Sequence, residues 1–216
     1  MSRKYYLIGI ALIIACFAAA AILYPYMPSR VPVHWNIHGK VNGYGGKWML
    51  LVLIPGIMLL MMGLMVAIPR LSPRDFEVES FHSTHLYSMV VVMAFMAFVH
   101  ALVLWAAVSG PININKAIMG GACLLIALLG NVTGKFRRNF FIGIRTPWTL
   151  ANEHVWYATH RLGAKTMVGG GIIGLIGALA GESPLLCLAP VLVGALVPAI
   201  YSLVYYKQLE RRGELT

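Results

Sequence analysis

The sequence predicts an all-α fold: a polytopic transmembrane bundle of about six spans. Three observations carry that reading. Hydrophobic residues make up 59% of the 216 residues and charged residues only 11%, whereas a soluble domain is nearer half apolar and one quarter charged. The apolar residues come in blocks close to the roughly 20 residues that cross a bilayer. The basic residues, which give a formal charge of +10, collect between those blocks on alternate connections.

Taken in order, the blocks predict spans near Tyr5–Tyr26, Trp48–Ile68, His85–Val108, Ile114–Gly130, Lys165–Gly181 and Leu185–Tyr206. The first contains Ile13-Ile14-Ala15-Cys16, which has the look of a lipoprotein cleavage site. Its apolar run continues through Leu23, too long for a signal core followed by a polar mature start, so an uncleaved span is expected. The fourth block is short and the fifth is rich in glycine. Within the fifth, Gly169 to Gly174 spells GxGxxG, but no strand precedes it and no acidic residue follows at the right distance. Gly170, Gly174 and Ala178 instead make a small-xxx-small stripe for close helix packing.

Orientation follows from counting. With the N-terminus inside, the inner segments hold 13 of the 17 Lys and Arg residues, and only Arg30, Lys40, Lys47 and Lys116 fall outside. That bias predicts both termini on the cytoplasmic side of a bacterial plasma membrane. Tyr5, Tyr6, Tyr205 and Tyr206 then fall at the inner interface, and Tyr24, Tyr26, Trp48 and Trp105 at the outer one, as aromatic belts require. The positive charge is thereby accounted for without direct nucleic-acid binding, for which no soluble basic domain exists. Cys16, Cys123 and Cys187 lie inside apolar blocks and read as small buried hydrophobes.

Two segments cannot lie in hydrocarbon. The outer loop, VPVHWNIHGKVNGYGGK, is dense in turn residues and is expected to cap the bundle's outer mouth. His34 and His38 are four apart, but the flanking Pro and Gly argue against a helix that would pair them, and zinc wants three or four ligands. The long inner segment, 131–164, is basic, aromatic and rich in amides. Arg137, Arg138, Arg145 and Arg161 offer planar donor forks, and Asn131, Asn139, Thr146, Thr149 and His160 add neutral partners. Trp148, Trp156 and Tyr157 supply rigid area. Surface anchoring to membrane lipids explains the charge and the aromatics. It does not explain the density of Gly, Pro, Asn and Thr, which predicts a defined fold with bonded turns. Asn152 is expected to cap an interfacial helix reaching Gly163, with Val155, Thr159 and Leu162 on one face.

Other polar features carry less. His100 is the one ionisable residue deep inside a predicted span. It reads equally as a functional group or as a neutral donor to a neighbouring helix carbonyl. His82 and His85, with Glu77 and Glu79, either cluster as metal ligands or form a solvated face. Asn131-Val132-Thr133 is an inner-face sequence, so its glycosylation spelling is discarded. Glu153-His154 lacks the second His of a metallopeptidase helix. No catalytic constellation stands out, so the chain is read as a non-enzyme without cofactor or metal.

At these residues a family resemblance enters. Gly130-Asn131, Asn139, the stretch Gly143 to Leu150 (GIRTPWTL), Val155-Trp156 and Thr159-His160-Arg161 resemble the SdpI family of bacterial membrane immunity proteins. Pro32-Val33-His34-Trp35-Asn36, with Gly39 and Lys47, resembles the small domain of unknown function often joined to it. The resemblance divides the chain into residues 1–68, two spans with the outer loop, and 69–216, a four-span region, together one membrane domain. It implies immunity to a secreted membrane-active peptide toxin, and toxin sensing that holds a transcriptional repressor at the membrane. It makes Asn131, Asn139, Arg145, Thr146, Trp148, Trp156, His160 and Arg161 the inner candidates for contacting a partner. His34, Trp35, Asn36 and Gly39 are the outer ones. A small transporter or exporter, with His100, Asn113, Asn115 and Asn131 along a polar path, and a structural membrane partner are the competing readings.

Overall fold

The computed structural model describes residues 2–73, 78–110 and 113–215. Those residues form a helical bundle of seven α-helices with one β-hairpin. The order is α1 (Ser2–Leu23), β1 (Arg30–Trp35), β2 (Val41–Gly46), α2 (Trp48–Leu71), α3 (His82–Ser109), α4 (Asn115–Thr133), α5 (Pro147–Ala151), α6 (Glu153–Ala180) and α7 (Pro184–Arg212). All but α5 are long and apolar enough to cross a membrane, as the hydropathy blocks predict. Because the long helices alternate in direction, the hairpin, the α3–α4 connection and the α6–α7 turn share one end of the bundle. The segment between α4 and α6 lies at the other end. Arg74, Asp75 and Glu77 of the α2–α3 connection lie outside the described residues.

Two departures from the sequence reading concern the polar segments. The loop after α1, expected on the outer side, forms an antiparallel hairpin in which Arg30 pairs with Gly46 and Trp35 with Val41. Its turns mark the hairpin's tip. Its strands escape a pattern reading because β2, VNGYGG, is half glycine. At the other end, the expected interfacial helix from Asn152 is not separate. It is the first three turns of α6, which runs unbroken for 28 residues, about 42 Å against a hydrocarbon thickness of about 30 Å. No capping residue or proline interrupts it before Gly181, whose left-handed φ of 85° ends it. Val155 and Thr159 are buried, so their common face meets protein.

Packing differs along the chain. α1, α2 and α3 enclose two apolar cores, one around Ala20, Val31, Leu50 and Leu104 and one around Ile13, Met58, Met89 and Met93. α4, α6 and α7 approach much more closely, through the small residues the sequence marks. A Cβ on Gly170 or Gly174 would strike the backbone carbonyls of Pro190 and Cys187 on α7, and one on Gly171 would strike α4 at Cys123 and Ala127. Gly194 stands in the same relation to Thr166. Backbones at that separation gain dispersion contacts that lipid tails cannot match.

Prolines inside spans leave carbonyls without donors, since a proline has no N–H to return to the residue four before it. Pro69 in α2 frees the carbonyl of Met65, and the Nε2 of His85 on α3 lies 2.9 Å from it. Pro198 in α7 frees that of Gly194, and the Oγ1 of Thr166 on α6 donates to it at 2.7 Å. Both bonds therefore cross between helices. His85 is fully buried in this role, while His82 is half-buried and meets Glu79 at 3.2 Å. The two histidines thus serve different partners.

Thr166→Val keeps the side-chain shape and removes the donor to Gly194. It is expected to destabilise the folded protein by about 1 kcal/mol, with Thr166→Ser near the parent. Unfolding midpoints in mixed detergent micelles check this.

Candidate functional site

The segment between α4 and α6 is held by side chains that satisfy one another's backbone. Asn139 is completely buried. Its Nδ2 donates to the carbonyls of Arg137 and Ile142, and its Oδ1 accepts from the N–H groups of Phe141 and Ile142. All the capacity of the amide is used on one tight turn. Trp156, also fully buried, donates its Nε1–H to the carbonyl of Phe136 at 2.7 Å. Its indole stacks on the His160 ring with centroids 4.0 Å apart.

His160 fixes the next piece. Its Nδ1 lies 2.8 Å from the Trp156 carbonyl, which can only accept. The proton therefore sits on Nδ1, and Nε2 accepts from the Ile144 N–H at 2.9 Å. The ring must be neutral for both bonds. Gly143, beside it, has φ 108°, and a Cβ there would collide with His160 Nε2. This position needs glycine on both counts.

The IRTPWTL stretch then builds α5. Thr146 and Thr149 form a reciprocal capping box with Pro147 at the first turn. The Thr149 hydroxyl donates to the Ile144 carbonyl at 2.8 Å. Thr146 Oγ1 lies 2.9 Å from Ser202 Oγ on α7, which ties the segment to the last span. Arg145 donates to the Phe140 carbonyl at 2.6 Å and Arg138 to that of Leu150 at 3.2 Å. Asn152 caps α6 by accepting from the Val155 N–H, as its position before Glu153 predicts.

The candidates in and around this segment are thus divided by burial. Asn139, Trp156 and His160 are sealed inside, and Thr146 and Trp148 are half-buried. Asn131, Arg145 and Arg161 are exposed and face away from the core. Thr149, Asn152 and Ser202 hold the same unit. The sequence marks Thr149 as a neutral partner and Asn152 as a cap, but nothing local marks Ser202, which only the packing of α7 brings to Thr146.

At the hairpin end, Asn36 is the organiser. Its Oδ1 accepts from the N–H groups of His38 and Lys40, and its own N–H donates to the Lys40 carbonyl. Its carbonyl accepts from Asn115 Nδ2 on α4 at 2.7 Å. Gly39, with φ 76°, is buried so tightly on Asn113 that a Cβ would overlap that side chain. The hairpin's tip is therefore clamped to the start of α4. Trp35 is half-buried and packs on the core around Val31. His34 is exposed, with its Nδ1 2.5 Å from Asn42 Oδ1. Lys47 donates to the Tyr24 and Met27 carbonyls, fixing the strand base to the end of α1.

Between the hairpin tip, α4 and the α6–α7 turn lies a crevice of about 240 Å³. Ile37, His38, Lys116, Glu182 and Ser183 stand at its rim, and Met119, Ala178 and Cys187 lie deeper. His100 is elsewhere, buried on α3, with Nε2 3.3 Å from the Cys16 carbonyl. Of its two sequence readings, the carbonyl donor is the one with a contact. Among the described residues no three His, Cys, Asp or Glu side chains stand together as metal ligands.

Gly143→Ala is expected to destabilise the 134–152 segment by about 1–3 kcal/mol. Gly134→Ala, where an added Cβ makes only ordinary contacts, should be tolerated. Limited proteolysis between Lys135 and Thr146 in detergent separates the two.

Comparison with known proteins gives two family regions. The SdpI/YfhL protein family matches residues 135–202, and a domain of unknown function, DUF1648, matches residues 11–59. The chain is 28% identical over 204 residues to the Immunity protein SdpI of Bacillus subtilis (strain 168), covering 93% of this chain and 96% of that protein. No solved structure matches. The clamped hairpin lies in the region that matches DUF1648 and the bonded segment before α6 in the region that matches SdpI/YfhL, so the resemblance read from the sequence holds: a chain with six helices able to cross a membrane is similar to SdpI/YfhL proteins in its second half and to DUF1648 in its first.

Proposed function

We propose that this chain is an integral membrane immunity protein of a bacterial cell, protecting it from a secreted membrane-active peptide toxin. The similarity to an immunity protein over nearly the whole of both chains supports the reading. The observation that carries it is the joint between the two regions. Asn36 and Gly39 of the hairpin lock onto Asn115 and Asn113 at the start of α4, and the crevice opens at that joint. A peptide arriving at this end would meet groups from both regions at once, with an apolar floor and a polar rim suited to an amphipathic chain.

The finer proposals follow from charge. In this reading the basic bias predicts the hairpin outside and both termini in the cytoplasm. The exposed Lys135, Arg137 and Arg145 then face the cytoplasm and offer a docking surface for an acidic face of a transcriptional repressor. Signalling between the ends requires that toxin and repressor prefer the same arrangement of the bundle.

Survival of a toxin-sensitive bacterium expressing the chain, challenged with secreted membrane-active peptide toxins, tests the function. Protection is expected from the parent. Asn115→Leu, which unclamps the hairpin, should lose most of it at equal membrane level. Arg145→Ala should also lose protection if the bonded inner segment takes part. Absence of protection by the parent against every such toxin would overturn the immunity reading.

A further inference from the structure

We propose that the saddle between the end of α4, α6 and α7, at the end of the bundle opposite the hairpin, is a binding site for the headgroup of an anionic phospholipid. The hollow is about 450 Å³. Its floor is made by the small residues Gly134, Ala158 and Ala164, and its rim by Arg161, Lys165 and Tyr201. Among the described residues, neither Arg161 nor Lys165 pairs with a carboxylate, and neither they nor the Tyr201 hydroxyl have a hydrogen-bond partner. Three donors thus converge on one hollow that contains no carboxylate. The Tyr201 ring is held in place by stacking on Tyr205, with centroids 5.5 Å apart.

Depth decides the class of ligand. Lys165 is the last charge on α6 before the apolar stretch Thr166–Ala180, which is about 22 Å of helix against a hydrocarbon thickness of about 30 Å. Lys165 therefore sits at or just inside the hydrocarbon boundary, its stem along apolar surface and its ammonium reaching up toward the headgroups. Tyr201 is deeper than Lys207, the first charge after the apolar run of α7. A soluble acidic protein would have to enter the bilayer to reach both. A phosphodiester at the headgroup level is already there, with its acyl chains free to follow the exposed face of α6 and α7 along Ile172, Ile173, Leu196 and Ile200. The guanidinium of Arg161 supplies the bidentate fork for phosphate, and Lys165 the point charge.

The full chain in nanodiscs of phosphatidylcholine with a minor fraction of phosphatidylglycerol, ejected for native mass spectrometry, tests this. The parent should retain one phosphatidylglycerol in preference to phosphatidylcholine. The double change Arg161→Gln/Lys165→Gln should weaken that retention about tenfold or more, at about 1 kcal/mol per basic residue near the surface. Arg211→Gln/Arg212→Gln, an equal change in charge on α7 beyond the hollow, should leave it unaltered. Lys165→Gln alone and Tyr201→Phe, which leave the GIRTPWTL and THR motifs intact, should each weaken it less than the double change. Equal retention of both lipids by the parent, or equal loss in the Arg211/Arg212 control, would overturn the site.

Discussion

The bilayer offers no water to a backbone, so every carbonyl and N–H at membrane depth must find its partner within the protein. This constraint accounts for most of the polar side chains inside the bundle. Pro69 and Pro198 break the helical ladder, and the freed carbonyls of Met65 and Gly194 are met by His85 and Thr166 from the neighbouring helices. Each bond fixes the register of one helix on another. A histidine or threonine in such a position looks like a functional group in a sequence. Its role here is to let a helix carry a proline without leaving an orphan acceptor.

Burial within the protein makes the same demand on the segment before α6. It has little regular structure, yet it lies against the bundle, and its own backbone groups need partners there. Asn139, Thr149 and His160 provide them, and each is wholly buried. The neutral tautomer of His160 is dictated by its neighbours: a carbonyl on one side and an N–H on the other. These residues form a set in which a change at one position strands a partner at another. Arg145 is exposed yet belongs to that set through its bond to the Phe140 carbonyl, whereas the exposed Arg161 lies outside it.

At the opposite end the hairpin is tied to α4, and the six spans are thereby joined across the chain's two family regions. The three helices α4, α6 and α7 pack through glycines, while α1, α2 and α3 pack through methionine and leucine. The first arrangement is close and rigid because backbones touch. The second fills its space with flexible side chains.

Much of this was legible in the sequence. Hydropathy set the six spans, because a bilayer imposes one length and one composition on any helix that crosses it. The stripe of Gly170, Gly174 and Ala178 announced close packing, Asn152 announced a helix start, and the IRTPWTL stretch announced a structured segment. Other features depended on distant partners. The hairpin was hidden by the glycines of β2. The continuity of α6 from Asn152 to Gly181 was hidden because its first turns are polar and its later ones apolar, so that one helix read as two. Nothing near Ser202, Asn113 or Asn115 in the chain shows that they meet Thr146, Gly39 and Asn36. Local composition is read along the chain and determines which segments enter the membrane. Which polar group satisfies which carbonyl, and hence which motif residues are sealed in the fold and which remain exposed, is a matter of three-dimensional proximity that only the tertiary structure decides.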